Sequence, residues 1–133
     1  MTRNNVMNHQ IKIYPQDCLV VITYQGKISI AEILQASDAM QNHRDYDKSY
    51  NGICDFRNSE VLLTPNEVHA FTSHVLDGDL AQGTWCMLVD APYATALSYI
   101  FKNQIKKQHP VAIHSTLEAA SSSLGLNLSP FFY

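Results

Sequence analysis

Apolar positions along the chain follow two rhythms that alternate. One is short and continuous: Leu19-Val20-Val21-Ile22, Ile53-Cys54-Asp55-Phe56, Trp85-Cys86-Met87-Leu88-Val89 and Val111-Ala112-Ile113. Unbroken, largely β-branched runs of this length read as strands covered on both faces. Ile11-Lys12-Ile13-Tyr14 instead alternates apolar with polar, the pattern of an edge strand with one wet face. Pro15-Gln16-Asp17 follows it and would turn the chain back as a hairpin into the second strand.

The second rhythm is helical. Three matches to the pattern S/T-x-x-E open apolar runs: Ser29-x-x-Glu32, Thr64-x-x-Glu67 and Ser115-x-x-Glu118. In such a capping box the two side chains satisfy backbone N–H groups that the first helical turn leaves unpaired. After Ser29 come Ile30, Ile33, Leu34, Ser37 and Met40. After Thr64 stands Pro65, suited to a first helical position, then Val68, Phe71, Thr72, Val75 and Leu76. After Ser115 come Leu117, Ala120 and Leu124, with Gly125 as the stop. A fourth helix is expected from Ala91-Pro92, with Leu97, Ile100, Phe101 and Ile105 on one face. Lys102, Lys106 and Lys107 near its end suit the helix dipole, and His109-Pro110 ends it.

The order is therefore ββαβαβαβα. Strand–helix–strand units impose right-handed crossovers and parallel strands. The expected fold class is α/β: a mixed five-stranded sheet, parallel except for an antiparallel first edge strand, with about four helices. Which face each helix covers is not legible at this level. At 133 residues the chain fits a single domain, with a core at about 8–126 and an aromatic tail at 127–133. A chain of this size buries roughly two-thirds of its unfolded surface and needs no disulfide or metal to hold a core.

Composition narrows the function classes. A formal net charge of -3 lacks the basic face that nucleic-acid binding requires, so no nucleic-acid partner is expected. The first residues hold no apolar signal segment, and no run approaches the ~20 residues of a membrane span. The expected location is cytoplasmic. Cys18, Cys54 and Cys86 are odd in number and widely spaced, each assigned to a strand, and read as small buried hydrophobes rather than a disulfide or metal set. His9, His43, His69, His74, His109 and His114 show no zinc spacing; His69 and His74 stand five apart rather than four. No cofactor or metal is expected. Gly-x-Ser-x-Gly, Gly-x-Gly-x-x-Gly and the phosphate-loop pattern are all absent.

Four stretches, in this order and spacing, resemble the STAS-like (SpoIIAA-like) family in its stand-alone bacterial branch. They are the strand pair leading into Tyr24-Gln-Gly-Lys-Ile-Ser-Ile-Ala-Glu32, the Asp55-Phe-Arg57 ending of the third strand, Met87-Leu-Val-Asp-Ala-Pro92, and His114-Ser-Thr-Leu-Glu-Ala-Ala120. The resemblance implies a STAS-type fold and a non-catalytic role, either switchable protein binding or binding of small or apolar ligands. It also implies a likeness to lipid-carrying CRAL-TRIO domains. One departure stands out. Anti-sigma-factor antagonists carry a phosphorylatable Ser in an Asp-Ser-Ser/Thr-Gly loop, whereas Asp55 to Pro65 holds no such motif and no glycine. Ser59 and Thr64 are the only hydroxyls there, and Thr64 reads as a helix cap.

Two candidate sites follow. In a parallel sheet, ligands gather at the carboxyl ends of the strands. By the strand assignment above that edge holds Tyr24, Asp55, Arg57, Asp90 and His114. They fit either an anion or partner site built on Arg57 and His114, or salt-bridged strand ends that need no ligand. The second candidate is apolar. Leu62, Leu63, Val68, Phe71, Val75, Leu97, Ile100, Phe101 and Ile105 would wall a pocket or a surface open to a membrane, or pack as ordinary core. In the tail, Leu126, Leu128, Phe131, Phe132 and Tyr133 would cover either the domain's own core edge or a homodimer partner. The leading expectation is a non-enzymatic module binding a small apolar or amphipathic ligand, or making peripheral membrane contact. A protein-interaction regulator competes with it. A small enzyme using Asp55, Asp90 and His114 is the third reading, and requires those groups to converge.

Overall fold

A computed structural model describes residues 8–105 and 110–133. The strands are β1 (His9–Tyr14), β2 (Leu19–Ile28), β3 (Asn51–Val61), β4 (Trp85–Leu88) and β5 (Val111–His114). The helices are α1 (Ile30–Gln41), α2 (Pro65–Gly78), α3 (Pro92–Ile105) and α4 (Leu117–Leu124). The order is the expected one. Lys106, Lys107 and His109, assigned to the end of α3 by sequence, lie outside the described residues.

The sheet runs β1-β2-β3-β4-β5, with β1 antiparallel to β2 and every other pair parallel. This sequential order decides where the helices go. Each crossover steps to the next strand in the same direction and must be right-handed, so α1, α2 and α3 all land on one face. Helix α4 follows the last strand and is free to fold under the opposite face.

Alternating residues of each strand therefore feed two separate cores. On the three-helix face Val20, Ile22, Tyr24, Trp85, Met87 and Val111 meet Ile33, Met40, Val68, Val75, Leu97, Phe101 and Ile105. On the other face Leu19, Val21, Ile53, Cys86 and Leu88 meet Ala120 of α4 and Leu128 of the tail. The tail packs on its own domain. Leu128 is fully buried, Phe131 meets Tyr14 edge-on at 4.8 Å, and Tyr133 remains exposed.

Several local expectations are corrected. The hairpin turn is a single 3-10 turn, Pro15–Asp17, closed by Cys18 in the left-handed region (φ 51°). Cys18 is thus an exposed turn residue, not a strand residue. Of the three capping boxes only Thr64–Glu67 forms, with both reciprocal bonds present. Ser29 stands at the start of α1 but makes no side-chain cap bond. Helix α4 starts one residue later than expected: Thr116, not Ser115, caps it by accepting from the Ala119 N–H. Gly125 closes α4 in the left-handed region (φ 65°), as its position implied. Strands β2 and β3 run on past Tyr24 and Arg57, pairing from Gln25↔Asn58 to Ile28↔Val61 beyond a register shift between Thr23 and Gln25. No helix among the described residues is long and apolar enough to cross a membrane.

Candidate functional site: an apolar cavity under three helices

The extension of β2 and β3 dissolves the expected polar edge. Tyr24 and Arg57 lie within strands, while Asp90 and His114 stand at or past the ends of shorter ones. Alternation then sends them to different faces. Tyr24 enters the three-helix face, where it stacks flat on Phe56 at 4.6 Å and 4°. Asp55 enters the opposite face, 6% exposed. Its two oxygens take the Arg57 Nε and Nη2 groups at 2.9 Å each, and Oδ1 also accepts the Arg57 backbone N–H. That hydrogen bonding raises the Arg57 pKa further above its ordinary value. The Phe132 ring lies 5.9 Å from the Arg57 guanidinium, so the tail covers the pair. Asp90 is exposed, and His114 Nε2 shares a hydrogen bond with Ser123 of α4. Only Asp55 and Arg57 of the five are brought into contact, and Arg57 takes both Asp55 oxygens.

The three-helix face holds a cavity of about 130 Å³ between the sheet and α1, α2 and α3. The sheet supplies Ile22, Tyr24, Cys54, Phe56, Trp85 and Met87 to its floor. Of the nine apolar candidates, Leu63, Val68, Phe71, Val75, Leu97 and Phe101 line it. Three do not. Leu62, in the loop after β3, is 49% exposed, whereas its neighbour Leu63 is buried. Ile105 is fully buried core, and Ile100 packs against that core. Sequence reasoning missed the lining from α1, Ile33, Ser37 and Met40, although their spacing was visible. What was invisible was that α1 shares a face with α2 and α3.

The cavity carries no formal charge in its wall. Burial pushes the Tyr24 hydroxyl well above its ordinary pKa and the Cys54 thiol up to about 12, so both stay neutral at physiological pH. Ser98 donates to the Ala94 carbonyl and Gln41 to the Leu80 carbonyl, so these wall groups are already paired. Trp85 is different. Its ring lies over Gly52, where a Cβ would come within 2.5 Å of three ring carbons, and only glycine leaves that space. Its indole Nε1 is buried and meets no acceptor among the described residues.

A second polar contact was also missed. His9 at the start of β1 meets Glu32 of α1 through Nδ1, with both side chains largely buried. Glu32 had been assigned to a capping box. Its turn toward His9 takes the Glu32 carboxylate away from the Ser29 N–H, while the Glu32 N–H goes to the Ser29 carbonyl rather than to its hydroxyl.

No protein-family profile and no curated protein matches the chain. A solved structure does. The crystal structure of an uncharacterized protein from the DUF3478 family, with a SpoIIAA-like fold, from Shewanella loihica PV-4, superposes with a TM-score of 0.58. The match covers 92% of this chain and 98% of that one, at 9% sequence identity. The chain therefore has a SpoIIAA-like, or STAS-like, α/β fold. At that identity the likeness concerns the fold alone.

Proposed function

We propose that the chain is a non-enzymatic STAS-type module that holds a small apolar or amphipathic ligand beneath α1, α2 and α3. The observation that carries this reading is the 130 Å³ cavity with its uncharged, largely apolar wall. Protein interiors pack at crystal density, and an apolar cavity of roughly 150 Å³ stays dry and binds benzene. The size therefore favours a single ring or a short chain over a whole lipid tail. The engagement of Asp55 with Arg57 and of His114 with Ser123 supports a non-catalytic role, since neither pair lines the cavity.

Toluene provides the direct test. At ten times its Kd it should raise stability by about 1.4 kcal/mol, or ~4 °C in Tm. Ala94→Leu, which projects a larger side chain into the cavity, should abolish that shift without lowering Tm. Loss of stability in Ala94→Leu together with no toluene effect in the wild type would mean that there is no usable space.

A protein-interaction role is the second reading, favoured by two exposed apolar residues. Leu62 (49% exposed) and Tyr93 (50%) flank a shallow cleft at the N-termini of α2 and α3. Loss of a specific partner on Leu62→Asp, with toluene binding intact, would shift the function to that cleft.

A further inference from the structure

A ligand reaches the cavity only if some part of the wall gives way, and the parts differ in what that breaks. Most lining residues sit on β2, β3, β4, α1, α2 or α3, where an opening would break ladder or helix hydrogen bonds. Three sit in connections. Leu63 is buried, whereas Leu80 and Ala81, after α2, are half-buried and lie between exposed Asp79 and exposed Gln82. There the wall is a surface loop.

That loop is held by groups from the end of α1 and the connection that follows it. The Leu80 carbonyl accepts from Gln41 Nε2 at 3.1 Å and from Tyr46 Oη at 2.7 Å. Lys48 Nζ donates to Asp79 at 2.8 Å, and the Gln82 N–H donates to the Lys48 carbonyl at 2.8 Å. Burial pushes the Tyr46 hydroxyl up to about 12, so it keeps its proton and donates at physiological pH. The bonds converge on one carbonyl of a cavity-lining residue, and none belongs to a helix or to the sheet.

We infer that the Asp79–Gln82 loop is the gate through which a ligand enters and leaves the cavity, held shut by Tyr46 and Gln41 on the Leu80 carbonyl. This rests on the cavity reading proposed above and adds how that site is entered. A loop that swings out leaves every strand and helix formed, and local openings of this kind are the least costly a folded protein makes. Closing lids of other binding sites work in the same way.

Exchange of toluene between its free and bound states, followed on protein amide resonances, measures the gate. Tyr46→Phe keeps the ring and removes one of the two bonds to Leu80. It should speed entry and release alike, about fivefold, the effect of one hydrogen bond, and leave the Kd unchanged. Leu128→Ala is the control, because it weakens the core on the other face of the sheet and should leave both rates near those of the wild type. If Tyr46→Phe does not fold, Lys48→Met removes the ion pair with Asp79 and should give a rise of about twofold. Wild-type rates in Tyr46→Phe and Lys48→Met, or an equal rise in Leu128→Ala, would overturn the gate and leave the cavity reading standing. No toluene binding in the wild type would overturn both.

Discussion

Individual side chains in this fold are governed by which face of the sheet they enter. Cys54 and Cys86 sit on adjacent paired strands, one register apart, and face opposite cores. Burial pushes the Cys54 thiol up to about 12 and the Cys86 thiol up to about 11. Cys18, in the exposed hairpin turn, has no such shelter. A thiol reagent at pH 8 should therefore label one cysteine quickly in the native protein and three in denaturant. Two or more fast equivalents would mean that the β3–β4 core is open. The same shifts set an alkaline limit. Unfolded thiols ionise from about pH 9, whereas the folded ones hold their protons to about 11–12. Above pH 9 the unfolded state binds fewer protons, so stability is complete below that pH and declines as pH rises toward 12. Urea unfolding from pH 7 to 11 measures the decline, and Cys54→Ala/Cys86→Ala should flatten it. An unchanged slope in that variant would assign the decline to other groups, the buried Tyr24 first among them.

Helix starts show how one sequence pattern can serve different ends. Ser29-x-x-Glu32 and Thr64-x-x-Glu67 are the same motif, but only the second closes as a box. At α2 the Glu67 carboxylate accepts from the Thr64 N–H at 2.9 Å. At α1 the neighbouring strand offers His9, and Glu32 takes that partner instead. Thr64→Ala should consequently cost about 1 kcal/mol in urea unfolding, while Ser29→Ala should stay within about 0.5 kcal/mol. Equal costs would mean that the two caps are equivalent in solution. Strand lengths diverge for a related reason. The apolar runs marked where β2 and β3 are covered by helices, near Leu19–Ile22 and Ile53–Phe56. They did not mark the polar continuation Gln25–Lys27 against Asn58–Glu60, which pairs backbone to backbone with solvent-facing side chains. The misplaced polar edge follows directly from that.

Over the whole molecule, the two faces of the sheet are covered unequally. Three helices roof one face, and the other relies on α4 and the last residues of the chain. Helix α4 buries only Ala120, so the tail supplies much of that layer through Leu128, Phe131 and Phe132. Leu128→Ala should then cost about 3 kcal/mol and lower Tm by about 10 °C, the cost of a large-to-small change at a fully buried site. It should leave toluene binding unchanged, because the cavity lies across the sheet. A surface-sized effect of Leu128→Ala would show the tail to be dispensable. A loss of toluene binding would show the two cores to be coupled.

Kind and order of elements were legible because they are local. Periodicity separated strands from helices, Thr64-Pro65 and Gly125 marked termini through their own backbone chemistry, and the alternating Ile11–Tyr14 segment identified the edge strand. Four stretches in sequence order pointed to the STAS-like fold, which the structural likeness bears out. The site was legible only in part. Leu63, Val68, Phe71, Val75, Leu97 and Phe101 were singled out as an apolar wall and do line the cavity. Whether they enclose space depends on the sequential strand order, which places α1 beside α2 and α3 and closes the wall with Ile33 and Met40. The pairing of Asp55 with Arg57, the diversion of Glu32 to His9 and the unpaired indole of Trp85 belong to the same class. Each is set by which groups meet across elements distant in sequence, and no spacing along the chain encodes that.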